Sequence, residues 1–297
     1  MEAVLSTLRA RQAANAGRPA PPLDEVRATF LPAAAAHPLP DDVRVVEAAP
    51  EGLGLGARAY WLDAPDVDTG RVLLFLHGGG FQLGSLASDG ELASRIGRAA
   101  GMRVLFLEYR LAPEHPFPAA LDDVRTAWAW LASDHAAGRC AVVGDSAGGG
   151  LAVSLLVALR DAGADLPAAA VLMSPTVDLT SSGDSMTERV DQDPISTPEL
   201  LRTLAADYLH GADPASLLAS PLFAPLGGLP PLLIQVGTSD LLLSDAERLA
   251  ATATAAGVDV TLEIGEGLPH VYQLNAETPE AAVAVDRAGR FLRQHVG

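Results

Sequence analysis

A serine flanked by glycines is the first feature of this sequence whose residue types suggest chemistry. Ser146 stands in the run Gly144-Asp145-Ser146-Ala147-Gly148-Gly149, after a short apolar stretch and at the start of a helical pattern. A serine on a sharp turn from strand to helix projects its hydroxyl clear of its neighbours, and the glycines leave room for the turn and for a substrate. The run predicts Ser146 as a nucleophile, with Asp145 supporting the motif and the free amides at the start of the following helix facing any anion formed there.

A second glycine-rich run follows an earlier apolar stretch. His77-Gly78-Gly79-Gly80-Phe81 comes directly after Val72–Leu76. Consecutive glycines let backbone amides approach a ligand, and each amide aimed at a developing alkoxide contributes roughly 2.7–4 kcal/mol. A flexible turn and a phosphate-binding loop are the alternatives, although the run lacks a Gly-x-Gly-x-x-Gly frame and a basic neighbour. We expect His77 and Gly78 to support the loop.

A serine hydroxyl is inert at neutral pH until a base takes its proton, and histidine is the usual base. His270 follows a late strand candidate through Gly265–Pro269 and precedes the last helical pattern. A loop at the carboxyl end of a late strand can reach across to the serine. Apart from His77, the other histidines lie in turns or at helix ends, where solvation is their usual state; they are His37, His115, His135, His210 and His295.

The residue that orients the histidine should also end a strand and precede the histidine in the chain. Asp240 does so after the apolar run Leu232–Val236. Its expected role is to accept the proton of the far imidazole nitrogen and to hold the tautomer. Asp245 is the rival, but its position at the start of the next helical pattern is typical of a first-turn acid favoured by the helix dipole.

Short β-rich runs alternate with longer helical patterns along the chain, which predicts a mostly parallel sheet with helices on both faces. Several runs are apolar throughout, as strands buried on both faces should be. The predicted strands are 57–62, 72–76, 103–109, 141–144, 169–173, 232–236 and 258–264, and the predicted helices are 91–100, 119–137, 147–162, 244–256 and 279–294. Gly101, Gly163 and Gly257 each follow a helical run, where a left-handed residue is expected.

Two segments depart from this alternation. Residues 1–43 are rich in alanine and proline, amphipathic, and interrupted by the stretch Pro19–Pro22; residues about 178–222 are polar at first and then helical over 198–210. Each is interpreted as a cap over a site, with ordinary surface decoration as the alternative. The organisation predicted is an N-terminal cap segment, 1–43, and a catalytic domain, 44–297, that carries the 178–222 insertion.

Composition excludes several classes of function. The formal net charge of −17 is the wrong sign for a nucleic-acid surface or an anionic bilayer, and all 20 basic residues are arginine. Without lysine there is no Schiff base, no P-loop lysine and no Ser-x-x-Lys nucleophile. One cysteine, Cys140, allows no intramolecular disulfide, and no Cys/His spacing suits a metal. No apolar stretch is long enough for a membrane span and no signal peptide is evident, so we expect a cytoplasmic protein. We also expect no metal and no cofactor.

Together these motifs resemble the hormone-sensitive-lipase-like family of bacterial carboxylesterases, over residues about 45–297. The runs that carry the resemblance are His77–Phe81, Tyr109–Ala120, Gly144–Gly149 and Pro269–Gln273. The resemblance implies an α/β-hydrolase fold with an eight-stranded, mostly parallel sheet and a helical cap. It also implies an oxyanion hole from the amides of Gly79, Gly80 and Ala147. Where the family often has Asp-Pro-Leu, this chain has Asp240-Leu241-Leu242.

The function expected from this resemblance is hydrolysis of short- to medium-chain acyl esters through an acyl-enzyme, without a cofactor, on a small-molecule ester. Many members pair as dimers, so the resemblance allows a homodimer, and the sequence itself leaves the oligomeric state open. Phe81, Tyr208, Val271 and Tyr272 are candidate walls of the substrate pocket, with plain core as the alternative for each. A lactone, carbamate or amide hydrolase on the same residues, and a non-catalytic small-molecule receptor of the same fold, are the alternative functions.

Overall fold

The computed structural model describes residues 1–15, 17, 21–34, 38–48 and 56–297. In this part of the chain eight strands form one sheet in the order β1-β2-β4-β3-β5-β6-β7-β8. The strands are β1 Arg44–Glu47, β2 Arg58–Asp63, β3 Asp68–Leu76, β4 Met102–Glu108, β5 Cys140–Asp145, β6 Ala169–Met173, β7 Leu232–Ser239 and β8 Val260–Pro269. Strand β2 is antiparallel to both of its neighbours, β1 and β4, and all pairs from β4 to β8 in this order are parallel. The predicted mostly parallel α/β sheet is confirmed.

Helices connect the parallel strands and cover both faces of the sheet. They are α1 Glu2–Asn15, α2 Leu23–Ala34, α3 Leu86–Ala100, α4 Ala119–Asp134, α5 Ala147–Asp161, α6 Ser185–Glu188, α7 Pro198–Leu209, α8 Leu243–Ala255 and α9 Pro279–His295. Thr197 and Thr278 cap α7 and α9 by accepting the backbone N–H of the third helical residue, with proline at the first helical position. Gly101, Gly163 and Gly257 have positive φ, as expected after a helix. No helix among the described residues is long and apolar enough to cross a membrane.

The central strands separate two apolar cores. Leu74 and Leu76 of β3 face the core beneath α4, α5 and α8, while Leu73 and Phe75 face the core beneath α3 and α9. All four side chains are fully buried, which explains why the sequence of this strand is apolar without alternation. The carboxyl ends of β3, β5, β7 and β8 lie along one edge of the sheet, and the site is built there.

The structure departs from the sequence prediction at several element boundaries. The prediction from residue patterns missed β1, a four-residue edge strand whose side chains are mostly exposed and which therefore carries no apolar run. The predicted start of α3 at Glu91 is wrong, because the helix begins at Leu86, where Oγ of Ser88 accepts the backbone N–H of Ser85 at 2.8 Å and so caps the first turn. The loop predicted over Gly265–Pro269 is also wrong, since β8 continues to Pro269 beside the long β7, with a register shift after Gly237.

Candidate active site

Ser146 lies on the sharp turn between β5 and α5, with φ 51° and ψ −119°. A non-glycine residue in this region of the backbone carries strain of order 1–3 kcal/mol. The surrounding hydrogen bonds hold the turn: the N–H of Ser146 donates to the carbonyl of Met173 at 2.8 Å, and its carbonyl accepts the N–H of Thr176 at 3.0 Å. The strained turn leaves the hydroxyl at the carboxyl edge of the sheet, as the motif predicts.

The motif glycines are required because backbone meets backbone around this turn. A Cβ on Gly144 would lie 2.3 Å from the carbonyl oxygen of Gly148. A Cβ on Gly148 would lie 2.0 Å from the carbonyl oxygen of Leu76 and 2.5 Å from that of His77. Glycine at position 148 therefore lets the start of α5 pack directly against the end of β3, where the glycine loop begins.

His270 connects the hydroxyl of Ser146 to the carboxylate of Asp240. Its Nε2 lies 2.9 Å from Oγ of Ser146, and its Nδ1 lies 3.0 Å from Oδ2 and 3.2 Å from Oδ1 of Asp240. Because a carboxylate only accepts, Nδ1 carries the proton and Nε2 accepts from the serine hydroxyl. The structure thus brings together the three side chains that the sequence nominated, over 124 residues of chain.

Backbone amides hold Asp240 in this orientation. Oδ1 of Asp240 accepts the N–H of Leu242 at 2.9 Å. The N–H of Leu241 donates to Oδ2 of Asp193 at 2.9 Å, so the residue that replaces the family's proline supplies a hydrogen bond that proline has no N–H to make. The side chain of Asp240 is 1% exposed, which shields its charge from water.

The rival carboxylate, Asp245, serves a different part of the structure. Its Oδ2 accepts the N–H groups of Val177 and Asp178, at 2.9 and 3.0 Å, and so ties the first turn of α8 to the loop after β6. Burial raises the pKa of Asp245 to about 7, against the opposing effect of these hydrogen bonds. In the part of the chain that the structure covers, its carboxylate makes no hydrogen bond to His270.

Several carboxylates act on the proton affinity of His270. Burial by itself lowers the pKa of this imidazole, but the charge and hydrogen bond of Asp240, together with Asp193 and Asp145, raise it above its ordinary value of 6.5. Each carboxylate favours the protonated ring. The arrangement therefore favours the imidazolium form of His270.

The glycine loop lies against the turn that carries Ser146. Gly79 and Gly80 have φ of 107° and 62°, and neither their N–H groups nor that of Ala147 donates to any acceptor among the described residues. A Cβ on Gly78 would lie 3.1 Å from Cβ of Ser146, which shows how closely the two loops approach. Free amides beside a serine are what an oxyanion hole needs.

Two side chains support the loop. Nδ1 of His77 donates to the carbonyl of Gly78 at 2.8 Å, its ring stacks on Tyr109 at 4.2 Å between centroids, and complete burial lowers its pKa to about 4, so the ring is neutral. Oδ1 of Asp145 accepts the N–H of Gly78 at 3.1 Å. Burial, followed by the charge of Asp89, raises the pKa of Asp145 well above its ordinary value.

The four candidate pocket residues fall into two places. Phe81 has a backbone φ of 62°, and its ring stacks on the ring of Tyr208 in α7, with the two ring centroids 3.7 Å apart. Val271 and Tyr272 are both buried and follow His270. Tyr272 also lines a cavity of about 310 Å³ between β8 and α9, away from the glycine loop.

Sequence reasoning missed two residues that shape the site. Asp193 accepts the N–H of Leu241, the residue after Asp240. Ser174, whose backbone φ is 46° after β6, accepts the N–H of Val271 through its Oγ at 3.1 Å and so fixes the residue after His270. Neither belongs to a motif with a chemical meaning, so no signal in the sequence marked them. No group of three or more potential metal ligands occurs among the described residues. His37, one of the histidines considered in the sequence, lies outside the described residues.

Comparison with known proteins agrees with this geometry. A family model described as the alpha/beta hydrolase fold matches residues 73–274. An acetyl-hydrolase of Streptomyces hygroscopicus is 46% identical over 241 residues, 80% of each chain. A solved esterase of the bacterial hormone-sensitive lipase family is 44% identical, with a TM-score of 0.92 over 99% of this chain and 98% of its own. The esterase EstE5, in a crystal soaked with p-nitrophenyl butyrate, is 39% identical, with a TM-score of 0.91 over 98% of both chains. The chain belongs to the α/β-hydrolase family, in its hormone-sensitive-lipase-like group of esterases.

Proposed function

We propose that the protein is a serine carboxylesterase that hydrolyses short- to medium-chain acyl esters through an acyl-enzyme. The observation that carries the proposal is the continuous path from Oγ of Ser146 to Nε2 of His270 at 2.9 Å and from Nδ1 to Asp240 at 3.0 Å. The names of the relatives, acetyl-hydrolase and esterase, support the same reaction class.

In the acylation step, Oγ of Ser146 attacks the ester carbonyl carbon while Nε2 of His270 accepts the hydroxyl proton. The oxyanion that forms is stabilised by the amides of Gly79, Gly80 and Ala147, which lack protein acceptors in the described structure. Asp240 stabilises the imidazolium and keeps Nδ1 protonated. His270 then protonates the leaving alcohol, and the acyl group remains on Ser146.

In the deacylation step, water replaces the alcohol. His270 takes a proton from the water, which attacks the acyl carbonyl carbon, and the same three amides hold the second oxyanion. Collapse of this intermediate breaks the bond to Oγ, and His270 returns the proton to Ser146. The products are the free acid and the regenerated enzyme, so no cofactor is required.

The two segments outside the sheet act as caps that bound the acyl pocket. Arg27 of α2 donates to the carbonyls of Gln82 and Ala112, so the N-terminal segment contacts the residue that directly follows the glycine loop. Leu204 of α7 contacts the same loop, because a Cβ on Gly80 would lie 2.6 Å from its Cδ1. A side chain packed this closely over Gly80 leaves limited room beside the oxyanion amides, which favours short acyl chains.

A homodimer is proposed through the free edge of β8. In the described residues this strand pairs only with β7, and Ile264 and Val283 beside it are 44% and 48% exposed. Exposed edge strands with apolar neighbours are common association sites. Light scattering on the purified protein should give twice the 30.6 kDa chain mass, whereas a monomer mass would remove this proposal.

The expected cytoplasmic location stays a prediction.

The decisive experiment replaces the nucleophile and keeps a matched control. Ser146→Ala should abolish turnover of p-nitrophenyl butyrate, with a loss of at least about 10⁴-fold in kcat. Ser154→Ala, a buried serine of the same helix α5 whose hydroxyl donates to the carbonyl of Gly150, should keep the wild-type rate. Undiminished turnover by the Ser146 variant would contradict the proposed function. A chain-length series of acyl esters then gives the size of the acyl pocket.

A further inference from the structure

A fourth carboxylate, outside the three proposed catalytic side chains, is built into the site. Asp193 lies in the 178–222 insertion and is 1% exposed. Its Oδ1 accepts the N–H groups of Ile195 and Ser196, both at 2.8 Å, and its Oδ2 accepts the N–H of Leu241 at 2.9 Å. Both oxygens therefore act only as acceptors, which is the hydrogen-bonding pattern of an ionised carboxylate.

Asp193 connects three parts of the chain that are distant in sequence. Leu241, its partner through Oδ2, directly follows Asp240. The carbonyl of Asp193 accepts a hydrogen bond from Nε2 of Gln12 in α1 at 2.9 Å. The residue thus joins the N-terminal segment and the 178–222 insertion to the turn that carries the proposed catalytic acid.

Asp193 and His270 act on each other electrostatically: the charge of each favours the charged form of the other. The groups that act electrostatically on His270 are Asp240 after β7, Asp193 in the insertion and Asp145 at the end of β5, all of them acidic. Asp145 also feels the charge of buried Asp89 of α3, which together with burial favours its neutral form. Burial and the charge of Asp240 likewise raise the pKa of Asp193 above its ordinary value, whereas the hydrogen bonds from Ser196 and Leu241 and the charge of His270 lower it. Of the three carboxylates, Asp193 acts on His270 next after Asp240.

We propose that Asp193 is a positioning residue for ester hydrolysis, which anchors the Asp240–Leu241 turn through the Leu241 N–H and places a second buried carboxylate beside the Asp240–His270 pair. The proposal rests on the proposed function, because it assigns a role in the same proton transfer. None of the hydrogen bonds that the described residues make with Asp193 joins it to Ser146 or His270, so its effect on the reaction passes through Asp240 and His270.

The test is the pH dependence of kcat/KM for p-nitrophenyl butyrate with Asp193→Asn. Removing the charge makes His270 easier to deprotonate, so the acid limb should move to lower pH by about 0.5–1 unit. The plateau of kcat should fall by about tenfold, since a hydrogen bond to a charged group is lost and the imidazolium is less stabilised, while KM changes by less than about threefold. Asp193→Glu, which keeps the charge, should restore the acid limb.

Two controls separate a positioning role from a structural one. Asp123→Asn changes another buried aspartate that accepts a backbone N–H, here from Arg110, and should leave the acid limb in place even where it lowers the melting temperature. Gln12→Ala breaks the bond to the Asp193 carbonyl without removing charge, and should also leave the limb unchanged. If Asp193→Asn does not fold, Asp193→Ser offers a small neutral acceptor for the same measurement.

An acid limb of the Asp193 variant that stays within about 0.2 pH unit of the wild type would overturn the inference. The proposed function is judged separately, by turnover of the wild-type protein and its loss in Ser146→Ala. A protein that hydrolyses the ester through Ser146 but shows no shift at Asp193 therefore contradicts only the role assigned to Asp193.

Discussion

Asp240→Asn changes one atom of the site and tests how the imidazole is oriented. Oδ1 of Asp240 accepts the N–H of Leu242 at 2.9 Å, so the oxygen of an asparagine is held on that amide. The NH₂ group then faces Nδ1 of His270, which must become an acceptor. The proton moves to Nε2, and this nitrogen donates to Ser146 and no longer accepts from it.

The size of the loss follows from two contributions. Turning the asparagine to restore the productive tautomer places its NH₂ against the N–H of Leu242, and an unsatisfied buried donor costs about 1–3 kcal/mol. Losing the negative charge beside the imidazolium removes a charged hydrogen bond that contributes about 1.5–3 kcal/mol. At about 1.4 kcal/mol for each factor of ten, kcat should fall about 100- to 10,000-fold.

The assay is release of 4-nitrophenolate from p-nitrophenyl butyrate, with KM and the melting temperature measured in parallel. Asp245→Asn is the matched control, because Asp245 is equally buried and accepts two backbone N–H groups but does not contact His270. It should keep kcat within about threefold. An Asp240 variant within tenfold of the wild type, or a larger loss at Asp245, would refute the assignment of Asp240 as the acid.

Three further outcomes follow from the same geometry. Gly148→Ala places a Cβ 2.0 Å from the carbonyl oxygen of Leu76 and should lower kcat at least about 100-fold, while Gly138→Ala, where nothing lies within 4 Å, should leave kcat unchanged. In the wild type, kcat/KM should rise with pH through a midpoint above 6.5, because the carboxylates raise the pKa of His270 and only its neutral form accepts the serine proton; a midpoint below 6.5 would contradict this. Tyr208→Ala removes the ring stacked on Phe81 and should cost about 3–5 kcal/mol in urea denaturation, whereas a cost below about 1 kcal/mol would show that the stack is not part of the core.

The sheet was predictable where both faces of a strand are buried. Val72–Leu76 and Ala169–Met173 are fully apolar because helices cover both of their sides, and this leaves a signal in the sequence. β1 has no such signal, since most of its side chains are exposed. The extension of β8 through Gly265 and Gly267 depends on pairing with β7, and glycine by itself favours a turn.

The candidate site was predictable where chemistry requires a fixed local geometry. The strained turn at Ser146 needs its glycines, and Asp240 and His270 each follow a strand, so order and spacing nominate all three side chains. Asp193 depends on contact between residues 48 positions apart, from segments whose sequences do not reveal that they meet. In the sequence, the stretch from Asp193 to Ser196 is typical only of a local turn.

Covalent labelling tests the central claim most directly. Diethyl 4-nitrophenyl phosphate should inactivate the wild-type enzyme with one equivalent of label, and peptide mass spectrometry should place the diethylphosphoryl group on Ser146, because this is the hydroxyl activated by His270. His270→Ala should remain unlabelled under the same conditions. Label on another residue of the active wild-type enzyme, or inactivation without any label at Ser146, would contradict the account.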